Sequence, residues 1–188
     1  GPHWLNLPVR RRGRQSICEV RLDRGVPWAR KHLTTLRHFY RRSEHVREVL
    51  PALAAVLDGN AERLIDASLP PLRLLAELLG VSTPILVSSD LGLERHYIER
   101  FPSQPGPTHR IVAFMQALGA TELLEGASGR SYLDVELCEH HGIRVEFHEY
   151  RHPRYRQMHT PFVSHLSVVD LLLCEGIEGA RRVLESAS

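Results

Sequence analysis

The sequence feature that most restricts the fold is an alternation of strand-like and helix-like segments between residues 83 and 147. Three short apolar runs have the strand pattern and two longer stretches have the helix pattern: residues 83–89, 121–125 and 143–147, and residues 110–118 and 132–141. Strands that alternate with helices of this length form βαβ units, whose strands pair in parallel. We therefore expect an α/β fold with a mostly parallel sheet flanked by helices, in a three-layer, Rossmann-like arrangement.

A helical layer precedes this alternation, over residues 27–79. Trp28, His32, Leu36 and Tyr40 follow one another at a spacing of four residues, so they share one face of a first helix. Such a stripe usually packs in the core, but a histidine within it can also line a site. Both interpretations of His32 are open.

The first residues predict a short hairpin. Residues 3–9 and 16–22 have strand patterns, and the basic residues 10–14 form the turn between them. The chain has no initiator methionine, and a strand pattern begins almost at its first residue. We therefore expect one α/β domain over residues 1–188 that lacks a segment at its N-terminus and includes the helical layer.

Composition indicates an ordinary globular protein. Of the 188 residues, 43% are apolar and 24% are charged, which is typical of a soluble domain with one core. The formal net charge of +2 is too small to indicate a nucleic-acid partner. No apolar run reaches the ~20 residues that cross a bilayer, and no signal peptide is recognisable. We expect a cytoplasmic protein with no membrane partner.

The cysteines and histidines do not indicate a disulfide framework or a metal site. Cys18, Cys138 and Cys174 are far apart in sequence and form no CxxC pair, unlike the cysteines of a disulfide framework or a zinc ribbon. The order His-Glu-x-x-His occurs at residues 148–152, but it follows the predicted strand 143–147 and runs into Pro153, whereas zinc enzymes carry this motif on a helix. We expect no bound metal, and we expect Cys138 and Cys174 to be inert thiols on apolar helical faces.

A glycine-containing turn at residues 126–131 is a candidate anion site. It lies between a predicted strand and the next helix, at the sheet edge where ligands bind in parallel sheets. Gly126 and Gly129 allow a ligand to approach the backbone, N–H groups of the following helix favour an anion, and Arg130 adds a charged fork. The turn matches neither a Walker loop nor a dinucleotide fingerprint, so a plain strand-to-helix turn is the alternative.

Ser89 ends another predicted strand, within the cluster Ser88-Ser89-Asp90. If the strands are parallel, Ser89 faces the same crevice as the glycine turn. Asp90 is equally typical of a simple turn.

Residues 150–176 hold a concentration of side chains that can move protons. His152, His159 and His165 lie in a stretch interrupted by prolines, which favours a loop over a helix. Histidine is the side chain best matched to proton transfer near neutral pH, although each one is also an ordinary polar loop residue.

Ser167 and Asp170 have the Ser-x-x-acid spacing of a capping box before an apolar helix. Capping alone explains both residue types. A helix N-terminus that faces a cleft can also stabilise an oxyanion or a phosphate, and His165 lies two residues before the cap.

The last third of the chain carries an ordered motif: His152-Pro153-x-Tyr155-x-Gln157, then Phe162, then LSVVDLL at residues 166–172, then Gly176. Further motifs precede it: Trp4-Leu5, Pro8-Val9, Trp28, Lys31-His32-Leu33, Tyr40, Leu118-Gly119-Ala120, Gly126, Gly129, Tyr132 and Leu133. Together they resemble the WbqC-like protein family over essentially the whole chain. The His-Gln-Pro and Pro-Trp/Tyr segment that typically begins family members is not in this sequence.

The resemblance implies an enzyme that transfers an acyl or aminoacyl group to an amine, on an amino sugar or a natural product, in bacterial polysaccharide or secondary-metabolite biosynthesis. Amide formation needs a base for the amine proton and donors for an oxyanion. We expect His152 or His165 as the base, with His32 and Asp170 as orienting residues. The expected substrate-binding or anion-binding residues are Ser89, Gly126, Ser128, Gly129, Arg130, Tyr132, Gln157 and Ser167.

Two alternatives stay open. The first is a nucleotidyltransferase-like phosphate-binding enzyme, and the second is a non-catalytic scaffold that docks a carrier protein through its arginines. No cofactor is firmly implied; a phosphopantetheine-bound acyl donor or a nucleotide would fit. The expected partners are an acyl or peptidyl carrier protein and a small-molecule or sugar-nucleotide amine.

Overall fold

The structure, a computed structural model, describes residues 2–10, 13, 15–103 and 106–186. Its internal contacts group the chain into two compact units, one formed by Gly1–Pro84 with His152–Ser188 and the other by Ile85–Arg151. The strands and α-helices, in chain order, are β1 Val9–Arg10, β2 Arg21–Leu22, α1 Trp28–Phe39, α2 Val46–Val56, α3 Leu64–Leu78, α4 Leu93–Arg100, α5 Pro107–Ala117, β3 Glu122–Gly126, α6 Val135–His140, β4 Arg144–His148 and α7 Val168–Glu185. Two short 3-10 helices cover Ile17–Glu19 and Ala127–Ser131.

The first unit is built on helices. Buried apolar side chains of α2 and α7 form its larger core: Val49, Leu50, Leu53, Leu171, Leu172 and Leu173. A smaller core surrounds Trp28, the first residue of α1, which is only 2% exposed. Helices α1, α2 and α3 are the helices predicted over residues 27–79.

Helix α7 is kinked at Gly176, whose backbone has φ 71° and ψ 178°. A Cβ atom at Gly176 would lie 2.6 Å from Nδ1 of His45, so only glycine fits against this imidazole. The hydroxyl of Ser43 donates a hydrogen bond to the carbonyl of Leu173, one turn before the kink. The loop before α2 therefore occupies the break in α7.

The N-terminal hairpin is shorter than predicted. Strands β1 and β2 pair antiparallel, with Val9 opposite Leu22 and Arg10 opposite Arg21. The remaining residues of the two predicted strands lie outside any strand. Arg11, Arg12 and Arg14 of the predicted basic turn lie outside the described residues.

The second unit contains one βαβ unit. Strands β3 and β4 pair in parallel from Glu122 opposite Arg144 to Gly126 opposite His148, and α6 connects them. The side chain of Asp134 accepts a hydrogen bond from the backbone N–H of Leu137 and caps α6. The predicted strands at residues 121–125 and 143–147, and the helices beside them, are confirmed to within a few residues at their ends.

The α/β class is confirmed, but the described residues hold two two-stranded sheets and not the mostly parallel, three-layer sheet that we expected. The difference lies at residues 83–89, which form no strand. The carbonyls of Val87, Ser88 and Ser89 accept hydrogen bonds from the backbone N–H groups of residues 90–93, in turns that lead into α4. These carbonyls are used locally, and Leu86 is 57% exposed, so the run does not behave as a buried strand.

In the described part of the chain, no helix combines the length and the apolar character needed to cross a membrane.

Candidate functional site: a buried carboxylate and a histidine pair

Asp170 lies at the centre of the candidate site. It is in the first turn of α7, next to the core leucines that follow it, and only 7% of it is exposed. The hydroxyl of Tyr40 donates to Oδ1 of Asp170 at 2.5 Å, and the hydroxyl of Tyr155 donates to Oδ2 at 2.6 Å. The carboxylate thereby joins the end of α1, the start of α7 and the segment that carries His152.

Gln157 extends this network and closes the loop between residues 157 and 163. Its Nε2 group donates to Oδ2 of Asp170 at 3.3 Å and to the carbonyl of Val163 at 2.7 Å. Its Oε1 atom accepts from the backbone N–H of Val163 at 2.8 Å. The nitrogen and the oxygen of the Gln157 side-chain amide thus both hold the loop. The loop also contains a cis peptide bond before Pro161.

His152 and His165 form a pair of imidazoles beside this network. Their ring centroids are 4.8 Å apart. The ring of His152 also contacts Tyr155 at 6.2 Å and Phe162 at 6.0 Å between centroids. His165 has a φ of 60°, a left-handed conformation that is uncommon for a residue other than glycine.

The tyrosine hydroxyls stay protonated in this arrangement. Burial raises the pKa of Tyr40 and of Tyr155, and the adjacent Asp170 carboxylate raises both further. Burial also raises the pKa of the Cys174 thiol to about 12, with a contribution from Asp170, to which the thiol donates at 3.8 Å. Cys174 is therefore a protonated thiol near neutral pH and is unsuited to be a nucleophile.

Only half of the predicted capping box forms. Ser167 is the N-cap of α7, and its hydroxyl oxygen accepts from the backbone N–H of Val169 at 3.3 Å. Asp170 directs its carboxylate inward, to the two tyrosines, because charge-assisted bonds to buried hydroxyls are available there.

His32 lies in α1 and is half-buried. Its Nε2 atom is 3.2 Å from the carbonyl oxygen of Asn6, and its ring contacts Trp28 at 5.5 Å between centroids. Burial lowers the pKa of His32. The structure thus gives His32 a partner in the N-terminal segment.

His159 lies elsewhere in the same unit. Its ring contacts that of Phe39, at the end of α1, with 6.5 Å between centroids. This position separates its contacts from those of the His152–His165 pair.

The predicted glycine turn forms the short 3-10 helix after β3, in the second unit. The guanidinium of Arg130 pairs with Glu149 at 3.3 Å and lies over the ring of Phe147 at 4.3 Å. A Cβ atom at Gly129 would lie 2.3 Å from Cγ of Glu125, whereas one at Gly126 would meet only the hydroxyl of Ser128 at 4.0 Å. Gly129 is therefore required by side-chain packing.

Tyr132 and Ser89 also belong to the second unit. Tyr132 follows the 3-10 helix and is 45% exposed. The hydroxyl of Ser89 is 3.4 Å from the Asp90 carboxylate, within the exposed turn before α4.

The predicted site residues fall into two groups. His32, His152, Gln157, His165, Ser167 and Asp170 lie in the first unit, and Ser89, Gly126, Ser128, Gly129, Arg130 and Tyr132 lie in the second. That the two groups serve one substrate stays a prediction. Among the described residues, no group of three or more histidine, cysteine or acidic side chains could hold a metal ion.

The two tyrosine contacts to Asp170 do not follow from the sequence patterns. Tyr40 belongs to the α1 stripe and to the family motifs, and Tyr155 belongs to the C-terminal motif, but neither pattern predicts a bond to Asp170. A buried acid in the first turn of an apolar helix needs donors, so tyrosines within the motifs were the available signal.

The fold and this site define a small α/β protein with a tyrosine-bound carboxylate and a histidine-bearing loop before its last helix. The model of the WbqC-like protein family matches residues 1–182, and the chain belongs to that family. It is 31% identical over 182 residues to the uncharacterized protein Rv1507c of Mycobacterium tuberculosis, and this match covers 95% of the chain and 74% of that protein. No solved structure matches the chain.

Proposed function

We propose that this protein transfers an acyl or aminoacyl group to an amine and forms an amide, with the His152–His165 pair at the reacting centre. The observation that supports this most is the 4.8 Å separation of the two imidazole rings, one on each side of the 157–163 loop that Gln157 closes. The ring of His152 also contacts Tyr155, whose hydroxyl bonds to Asp170. Imidazoles accept and return protons near neutral pH, and fixed surroundings keep them in one place.

The chemistry requires a base and then an acid. The amine nitrogen attacks the carbonyl carbon of a thioester, a C–N bond forms, and the proton on nitrogen passes to an imidazole. When the tetrahedral intermediate collapses, the C–S bond breaks and the leaving thiolate takes the proton back from the imidazolium. His152 is the proposed base because it is half-buried against Tyr155 and Phe162.

The remaining residues of the first unit have positioning roles in this proposal. Asp170 holds Tyr155 and Gln157, and Ser167 holds the first turn of α7. His32 positions α1 against the N-terminal segment. None of these side chains needs to touch the reacting atoms.

Family membership supports the substrate class. The proposed acceptor is an amine of an amino sugar or a natural product, and the proposed donor is an acyl or aminoacyl thioester, acting in the cytoplasm. The glycine turn with Arg130, Tyr132 and Ser89 is proposed to contribute a second binding region.

The test is a product assay with the purified protein. A panel of acyl and aminoacyl thioesters is incubated with UDP-linked amino sugars, and mass spectrometry and thiol release are followed together. We expect amide formed in equal amount to thiol, and a loss of at least about a hundredfold in rate for His152→Ala. Pyrophosphate release from ATP without amide would contradict acyl transfer and favour nucleotidyl transfer.

A further inference from the structure

The segment before α7 is strongly basic. Residues 151–169 contain three arginines and three histidines and no aspartate or glutamate. The next acidic residue, Asp170, is buried and accepts hydrogen bonds from two tyrosines. Glu175, which follows, accepts from the backbone N–H of Arg156 at 2.9 Å. The positive charge of this segment is therefore not balanced from within it.

The three arginines also gain no carboxylate from elsewhere in the described residues. The ion pairs within 4.0 Å in that part of the chain involve other cations. A surface that keeps uncompensated arginine charge attracts anions.

Arg154 has a defined position among these arginines. Its Cζ atom lies 5.1 Å from the centroid of the Phe162 ring. The same ring contacts His152 at 6.0 Å and Tyr155 at 5.8 Å between centroids. Phe162 thus contacts both the Arg154 guanidinium and the His152 ring, and stacking on a ring takes up none of the five N–H donors of the guanidinium.

Two other arginines also lie over an aromatic ring, but a carboxylate offsets the charge of each. Arg130 lies over Phe147 and pairs with Glu149 at 3.3 Å. Arg110 lies over Phe114 at 4.4 Å and pairs with Glu94 at 2.7 Å. Arg100, which lies over Phe101 at 5.1 Å, and Arg154 have no carboxylate partner in the described chain, and Arg154 is the one of these two that contacts a ring next to the proposed reacting centre.

We infer that Arg154, held on Phe162 beside the His152–His165 pair, binds a phosphate or pyrophosphate group. The fork of a guanidinium matches two phosphate oxygens, and the nearby Arg156 favours a multiply charged anion over a single carboxylate. That this group belongs to the acyl donor or the amine acceptor rests on the proposed function. It would be the phosphate of a pantetheine thioester or the diphosphate of a nucleotide sugar.

The test is calorimetric titration of the whole chain at low salt, with inorganic pyrophosphate as the probe. We expect Arg154→Ala to weaken binding by about tenfold or more, and Arg154→Lys to recover part of it, because lysine keeps the charge but not the fork. Arg110→Ala is the matched control, since it removes a stacked arginine from an ion pair, and it is expected to leave binding unchanged. Uridine diphosphate and 4′-phosphopantetheine are then titrated in the same way. If one of them binds more tightly than pyrophosphate, and Arg154→Ala loses that binding too, the result supports the site and identifies the molecule that carries the phosphate.

The inference is overturned if pyrophosphate does not bind, if Arg154→Ala binds it as the wild type does, or if Arg130→Ala loses binding in its place. Binding of acetate, a single carboxylate, as tight as that of pyrophosphate would also overturn the assignment to phosphate. Failure of the proposed function has a different signature: no amide is formed, while Arg154→Ala still loses pyrophosphate and His152→Ala keeps it. If Arg154→Ala forms amide with unchanged KM for both the acyl donor and the amine acceptor, the phosphate site at Arg154 is refuted, while the proposal of acyl transfer is unaffected.

Discussion

The hydroxyl of Tyr155 donates to Oδ2 of Asp170 at 2.6 Å and ties the loop of His152 to the first turn of α7. This bond links a motif residue of an irregular segment to a carboxylate that is almost fully buried. It is the contact through which the core of the first unit fixes the proposed reacting centre.

Removing this hydroxyl tests its contribution to stability. Tyr155→Phe leaves Oδ2 of Asp170 with only the longer bond from Gln157. Because hydrogen bonds to charged groups contribute about 1.5–3 kcal/mol, the free energy of unfolding should fall by that amount. Urea unfolding measures it. Tyr40→Phe removes the donor to the other oxygen, and an unchanged midpoint in both variants would show that Asp170 is not held in this way.

The same tyrosines predict how stability changes in alkaline solution. The pKa of Tyr40 and of Tyr155 is raised in the folded chain, mainly by burial and then by Asp170. The unfolded phenols titrate near a pKa of about 10, so their contribution to stability is complete below that pH and declines above it. Urea midpoints measured from neutral pH to pH 11 should fall above about pH 10. Replacing both tyrosines by phenylalanine should flatten this fall, and an equally steep fall in the double variant would refute the assignment.

Gly176→Ala tests the kink in α7. The backbone of Gly176, with φ 71° and ψ 178°, costs about 1–3 kcal/mol for alanine, and overlap with the His45 ring adds about 1–3 kcal/mol. Gly80→Ala is the matched control, because Gly80 has φ 75° but its nearest side-chain atom, in Arg181, would be 3.6 Å from a Cβ. In urea unfolding, Gly80→Ala should lower the free energy of unfolding by the cost of a positive φ without the overlap. Adding His45→Ala to Gly176→Ala should recover the part of the loss that comes from the overlap. Equal losses of unfolding free energy in the two glycine variants would contradict the close contact with His45.

The two glycines of the predicted anion turn should respond differently to alanine. Gly129→Ala places a methyl group 2.3 Å from Cγ of Glu125 and 3.3 Å from the ring of Phe147, so it should destabilise the second unit by about 1–3 kcal/mol. Gly126→Ala has φ −68° and open space, and should change stability by less than about 0.5 kcal/mol. Thermal unfolding compares them. The reverse order would mean that the turn is shaped by something other than Glu125.

Sequence patterns predicted those helices and strands whose structure is determined mainly by the residues within them. Strands β3 and β4 and helices α5 and α6 follow from the strand-like and helix-like patterns of their own residues. Residues 83–89 have the apolar pattern of a strand. However, Pro84 cannot donate a hydrogen bond within a sheet, and the carbonyls of residues 87–89 accept hydrogen bonds in the turns that lead into α4. Whether a run pairs in a sheet depends on strands that are distant in sequence. The residue pattern of a single run therefore does not predict the pairing.

The site was predicted in part for the same reason. The spacing of Ser167 and Asp170 indicated the start of α7, and this start is confirmed. The carboxylate of Asp170 bonds to Tyr40, 130 residues earlier, and no spacing rule connects two such residues. Sequence does not show that Glu149 pairs with Arg130 or that Glu125 lies against Gly129, and the anion-binding role of this turn stays a prediction.

Single-turnover amide formation by three histidine variants is the most direct test of the proposed centre. His152→Ala and His165→Ala should slow the reaction by about 10²–10⁴, the usual contribution of acid–base catalysis. His159→Ala, from the same loop but packed against Phe39, should leave the rate unchanged. A folded His152→Ala variant, with the urea midpoint of the wild type, that forms amide at the wild-type rate would contradict the account.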